Sequence, residues 1–332
     1  MLPNSLQALL KRQLSCITIS EVKRLQRAWI LRHGELGLKS RVVRRQFQRA
    51  LDRNLETLAI ENQIPIIRDR IKTMEVVTSS AEPSEAEDLL CHILGIVALD
   101  PAEVISDTLD PEVVATAILE RDASAGVDRT FGVRARRLGA KGKWSSQEYC
   151  SDIGAAMWRQ DGHLSVDLTN PDMWVRLVME PDRVWLMDER IPGAGGLPPG
   201  VQGDVLCRIT DDDSLISAFL IMRRGSRLIP VDGCDEEKIA ILKRWDPFLG
   251  RRSKERTPSG GKRKRHPWGV VGLSVEEGKG LIHRRESDVK TVPLSSLEPL
   301  CGWTEAEKAA LMLHILEPAK NPPTPDIKAW VS

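Results

Sequence analysis

The chain has 332 residues, enough for two or three domains, and its 41% hydrophobic and 4% aromatic content is that of an ordinary globular protein. The formal net charge of +1 by itself implies nothing about nucleic acid. The longest apolar runs, such as Leu215 to Met222, fall well short of the ~20 residues of a membrane span and follow no signal-like segment, so a cytoplasmic protein without membrane contact is expected. The six cysteines and six histidines are scattered. Without a C-x-x-C pair or histidines at ligand spacing, no metal site and no Cys/His nucleophilic pair is expected. Charge, however, is segregated: residues 1–80 carry 15 Lys/Arg against 7 acids, and residues 81–130 carry 2 against 12. Segregation of this kind concentrates positive potential where an anionic polymer would sit.

In chain order, Leu6, Leu9, Leu10 and Leu14 recur at helical spacing and predict an N-terminal helical extension. Ala28 to Arg32 reads as a short strand, and Gly34 and Gly37 mark a turn before an amphipathic helix over about Ser40 to Glu61. Val43, Phe47, Leu51, Leu55 and Leu58 form its buried stripe. On its other face Arg41, Arg45, Arg49 and Arg53 follow at i, i+4 spacing, where like charges cost roughly a few tenths of a kcal/mol per pair unless an anion meets them. A solvated surface explains the same pattern. Alternation over Ile64 to Thr78 predicts strands and Ala86 to Leu94 a helix, and the order strand-helix-strand-strand-helix fits a ferredoxin-like domain. Asp110 is placed to cap a helix over Pro111 to Leu119.

Thr130 to Arg137 reads as a strand with Arg134 and Arg136 on one face and Arg137 just beyond. It runs into a glycine-rich loop with Lys141 and Lys143, closed by Ser145 and Ser146 at the start of a helix over Gln147 to Trp158. Five cations and no acid across this stretch, ending at a helix N-terminus, make a phosphate-binding surface. Capping by Ser145 or Ser146 is the structural alternative and is compatible with phosphate contact. Two strands, Trp174 to Glu180 and Val184 to Asp188, precede a Gly/Pro-rich connector over Ile191 to Gly200.

Several separated motifs, in the right order over about residues 28–230, resemble the ThiI-type tRNA 4-thiouridine synthases, the tRNA sulfurtransferase family. They are His33-Gly-Glu-Leu-Gly-Leu-Lys-Ser40, Arg134-Ala-Arg-Arg-Leu-Gly-Ala-Lys-Gly-Lys-Trp-Ser-Ser146, Val166-Asp-Leu-Thr-Asn-Pro-Asp172 and Gly195-Gly-Leu-Pro-Pro-Gly-Val-Gln-Gly-Asp-Val-Leu206. The resemblance implies an α/β chain: a ferredoxin-like domain over 27–106, a THUMP domain over 107–198 and a truncated Rossmann-like PP-loop domain over 199–318. Residues 1–26 would be the helical extension and 319–332 a Pro-rich tail. In the family the first two domains hold tRNA by its acceptor end and the PP-loop domain adenylates a uridine with ATP. RNA-binding residues are therefore expected at Lys39, Arg41, Arg45, Arg49, Arg134, Arg136, Arg137, Lys141, Lys143, Ser145 and Ser146.

The sequence departs from the family at the pyrophosphate loop S-G-G-x-D-S, whose glycines let amides close around phosphate. Here stands Ile209-Thr-Asp-Asp-Asp-Ser214, one residue short. Thr210, Asp211, Asp212, Asp213 and Ser214 form a degenerate loop in which only the last two keep their places. Val292-Pro-Leu-Ser-Ser-Leu-Glu-Pro-Leu-Cys-Gly302 and Glu305 to Leu313 resemble the late strand and helix of the same domain. Arg251 to His266, with eight Lys/Arg and one acid, reads as a disordered basic linker. The expectation is a noncatalytic tRNA-binding protein with no cofactor. Two alternatives stay open: an active sulfurtransferase with ATP, magnesium and an altered nucleotide site, and a tRNA-binding subunit for a separate catalytic chain. A homodimer is compatible with any of the three.

Overall fold

A computed structural model describes residues 27–34, 40–71, 74–124, 126–138, 142–256, 261–282 and 294–323. The expected helical extension over 1–26, most of the Pro-rich tail, Lys39 and Lys141 lie outside the described residues. By packing, the chain falls into two compact units that do not follow chain order. One holds residues 27–30, Ile66–Ser80 and Asp100–Glu189, and the other Leu31–Pro65, Ala81–Leu99 and the chain from Arg190 on.

The first unit is a mixed sheet. Its strands are β1 (Arg27–His33, continuing past the unit boundary), β2 (Ile66–Ile71), β3 (Met74–Ser79), β4 (Ile96–Ser106, entering the unit at Asp100), β5 (Arg129–Arg137), β6 (Leu164–Val166), β7 (Met173–Met179) and β8 (Val184–Met187). They lie in the order β2-β3-β1-β4-β8-β7-β5-β6. Period-two alternation sorts β7 between two cores. Leu177 and Met179 join Phe131, Tyr149, Ile153 and Met157 in one, and Val178 joins Ile30, Val76, Leu138 and Trp185 in the other. The first core also takes Val114, Ala115 and Ile118 of the helix Pro111–Leu119, whose start is set by Asp110 accepting from the Glu112 amide at 3.0 Å, as expected.

Strand β4 is absent from the sequence expectation. It carries Pro101 and the acids Asp100 and Glu103, which break the alternation that marks strands. The proline lacks a donor, yet its carbonyl still accepts from the Asp188 amide at 2.9 Å.

The second unit contains α1 (Arg41–Glu61), α2 (Pro83–Cys91) and a four-stranded sheet of β10 (Asp204–Cys207), β11 (Arg227–Pro230), β14 (Gly269–Val271) and β15 (Ser295–Ser296); β9 (Ile191–Pro192) instead pairs with the start of β4. The sheet is parallel throughout, in the order β11-β10-β14-β15, as a Rossmann-like remnant requires. In α1, Phe47, Leu51, Leu55 and Leu58 are buried, as expected. Helix α2 begins and ends three residues earlier than its periodicity predicts, with Pro83 in its first turn. A helix Asp212–Arg223 crosses from β10 to β11, and its Leu215, Phe219 and Met222 pack with Val205, Leu228, Trp245, Leu311 and Ile315.

The expected disordered linker is corrected here. Lys254–Arg256 (β12) and Lys262–Lys264 (β13) pair as an antiparallel ribbon. Backbone pairing and anchoring, rather than apolar burial, hold this segment, and composition does not report such bonds.

Candidate nucleic-acid interface and nucleotide turn

Strand β5 presents Gly132, Arg134 and Arg136 on one face, because residues two apart share a side. Its partner β7 brings Trp174 opposite Gly132 and Arg176 opposite Arg134. A Cβ at position 132 would lie 2.7 Å from the Trp174 ring, so glycine makes room for it. The Arg134 guanidinium stacks 3.6 Å above that ring, a cation-π arrangement that fixes a long side chain while leaving its donors outward. Arg134 and Arg136 are exposed. Arg176 joins the same face and was missed in the sequence; alternation along β7 beside the basic strand was the signal that could have found it.

The following loop is held from inside. Arg137 donates to the Trp144 carbonyl at 2.7 Å, and the Trp144 indole donates to Asp152 at 2.7 Å. Arg137 is thereby a support for the loop more than a free cation. Exposed Lys143 lies 4.2 Å over the Trp144 ring. Ser145 caps the helix Ser146–Gln160 in a reciprocal box: its hydroxyl accepts from the Glu148 amide at 3.1 Å, and Glu148 accepts from its amide at 2.7 Å. These bonds hold the Glu148 carboxyl below its usual range. Ser145 thus takes the capping role, and Ser146 is half-buried in the first turn. A cleft of about 580 Å³ beside the loop is lined by Asp107, Asp110, Glu180 and Asp182 as well as Arg137 and Lys143. Four carboxylates against two cations disfavour phosphate there.

The α1 arginines belong to the second unit. Arg41, Arg45 and Arg49 are exposed. Arg53 departs from the row: its guanidinium sits 4.7 Å above the Phe248 ring, beside the buried pair of Arg227 and Asp246 at 3.0 Å. Desolvation and the neighbouring Arg227 lower its pKa.

The degenerate loop forms a tight strand-to-helix turn that satisfies itself. The amides of Thr210 and Asp211 donate to the Ser214 hydroxyl at 2.9 and 3.0 Å, and the Ser214 amide donates to the Asp211 carboxylate at 2.8 Å. Those bonds lower the Asp211 pKa. Asp212 pairs with Lys238 at 2.7 Å and Asp213 with Lys308 at 2.9 Å. A triphosphate needs amides free to converge on it and cations free to neutralise it. Here the Thr210, Asp211 and Ser214 amides and both lysines have partners within the protein, so the turn does not fit the group.

A THUMP domain model matches residues 113–188, the helix, strands and loop just described. A probable tRNA sulfurtransferase from Methanobrevibacter smithii is 33% identical over 214 residues, which are 62% of this chain and 53% of that protein. The chain contains a THUMP domain and is similar to tRNA sulfurtransferases. The tRNA sulfurtransferase of Escherichia fergusonii is likewise 33% identical, over 58% of this chain and 40% of its own length. The chain therefore spans about half the length, or less, of these curated relatives. In fold, it matches a Pyrococcus horikoshii protein over 87% of this chain and 99% of that one, with a TM-score of 0.63 and 23% identity. A 4-thiouridine synthetase solved with RNA and bound ATP matches over 87% and 85%, with a TM-score of 0.60 and 20% identity. Among the described residues, no helix is long and apolar enough to cross a membrane, and no cluster of His, Cys, Asp and Glu is arranged to hold a metal.

Proposed function

We propose that this protein binds tRNA through its THUMP domain and does not itself activate the nucleotide. The observation that carries the reading is the basic face of β5 and its loop, where Arg134, Arg136 and Lys143 are exposed and two of the three are steadied on tryptophan rings. Cations held this way lose little side-chain entropy on meeting a phosphate. The similarity to tRNA sulfurtransferases supports tRNA as the ligand, and the acceptor end, which the motif resemblance implies, is the part proposed to be held. Arg41, Arg45 and Arg49 on α1, and Lys39 and Lys141 within the two motifs, are proposed as further RNA-binding residues. The division into ferredoxin-like, THUMP and PP-loop-like domains is part of the same reading.

The test is tRNA binding by the full chain across a salt series. Changing Arg136 and Lys143 together to Glu is expected to weaken binding about tenfold or more and to flatten its salt dependence. Unchanged affinity and slope would remove this face from consideration.

A further inference from the structure

The basic segment after β11 has no part in the reading above, and its structure gives it one. Its two ends are tied to one residue. Asp204, fully buried at the start of β10, accepts from the Ser253 amide with its carboxylate at 2.9 Å and from the Trp268 amide with its carbonyl at 3.0 Å. The Arg265 amide donates to the Ser253 carbonyl at 2.8 Å, and the Arg252 guanidinium donates to the Arg265 carbonyl. Gly203 sits at φ +92°, where a Cβ would lie 3.1 Å from the Trp268 ring. The Gly-Asp of the family-like motif therefore serves in this chain to root a β-ribbon.

The ribbon's register has a physical cost. Lys254 pairs with Lys264, Arg256 with Lys262, and Glu255 with Arg263. In an antiparallel ribbon, opposite residues share a face and residues two apart share it again. The backbone register therefore sets two exposed cations, Lys254 and Lys264, directly opposite each other on one face. Directly opposed like charges destabilise a strand pair. Lys254, Lys264 and His266 are exposed, so burial does not explain the pattern. A rooted scaffold that holds two opposed, exposed cations together is stabilised by an anion that bridges them.

We propose that this ribbon is a second RNA-binding element, gripping phosphates of the RNA backbone without regard to sequence. The proposal rests on the tRNA-binding reading for the identity of the polyanion. It adds a site that neither the THUMP domain nor the basic helix contains.

The test uses the full chain with Lys254→Ala and Lys264→Ala combined, assayed against tRNA over a salt series. Removing one like-charged pair relieves repulsion, so the variant should melt no lower than the native chain. Its tRNA affinity should nonetheless fall about tenfold, and the slope of log K against log salt should shrink by about 1.4 to 1.8, the loss of two phosphate contacts. The R136E/K143E variant runs in parallel. If that variant loses binding while the ribbon variant keeps native affinity and slope, the ribbon proposal is overturned and the THUMP reading stands. If the native chain binds no tRNA at low salt, both fall. Retained tRNA affinity with a loss of binding to phosphatidylserine vesicles would assign the ribbon to a membrane surface and overturn the proposal too.

Discussion

Trp245 shows how single residues set this protein's response to pH. Its ring lies 4.7 Å from the His92 ring and 5.5 Å from the His314 ring, and its indole donates to the Ile315 carbonyl at 3.1 Å. Burial pushes both imidazoles down to about 4. His92 also faces Asp88, which opposes the shift, and Arg244, which adds to it; the Asn321 carbonyl opposes the shift of His314, while Arg223 and His92 add to it. Both rings have their pKa depressed on folding, so the unfolded chain binds the extra protons. The stability they contribute is complete above the ordinary value near 6.5 and is lost as pH falls toward about 4. Each imidazole contributes up to roughly 1.4 kcal/mol per pH unit across that window. Exposed His163, raised by its hydrogen bond with Asp128, has the opposite sign. Urea unfolding at pH 7.5, 5.5 and 4.5, followed by tryptophan fluorescence, should show falling stability, with a shallower fall for His92→Gln. A pH-independent midpoint between 7.5 and 5 would contradict the arrangement. None of this was legible in the sequence, because residues 92, 245 and 314 meet only through packing.

At the level of elements, what the sequence reveals depends on how local the cause is. The caps at Asp110 and Ser145 were readable because a capping residue and its partner lie within three positions. The buried stripe of α1 was readable from its 3.6-residue period, whereas the displacement of Arg53 from the basic row was not, since Phe248 is distant in the chain. The turn at Asp211 is the informative case. Missing glycines show that it differs from a pyrophosphate loop, and the fold supplies the replacement, a capping box between Asp211 and Ser214. A phosphate loop holds its amides open for ligand, whereas a cap uses them to start a helix. Asp211→Ala is therefore expected to destabilise the free protein by about 1 kcal/mol, read as a lower denaturation midpoint. No change in midpoint would show that the turn does not depend on the cap.

Over the whole molecule, the order of motifs along the chain carried the kinship and the α/β class, while the grouping of segments into two packed units did not follow that order. Charge segregation draws attention to α1, and a local run of cations to β5 and its loop; the register of β12 and β13 lies beyond composition. The remaining question of scale is whether the shortened PP-loop-like part still answers to nucleotide. Asp212 and Asp213 face Lys238 and Lys308, so a triphosphate would first have to displace two ion pairs and then find the Thr210, Asp211 and Ser214 amides already bonded. Each displaced amide bond forfeits about 1 kcal/mol before any contact to phosphate is made. Magnesium could bridge phosphate to the freed carboxylates, but it would not restore the glycine-lined path of the turn. A ligand at about 100 times its Kd stabilises a folded protein by about 2.7 kcal/mol, a shift readily seen in a melting curve. Millimolar ATP with magnesium is accordingly expected to leave the melting temperature and the tRNA affinity unchanged, with no RNA-dependent release of pyrophosphate. An ATP-induced rise in melting temperature together with tRNA-stimulated pyrophosphate release, both lost in Asp213→Ala, would show that the turn opens to bind nucleotide and that the chain is an active enzyme.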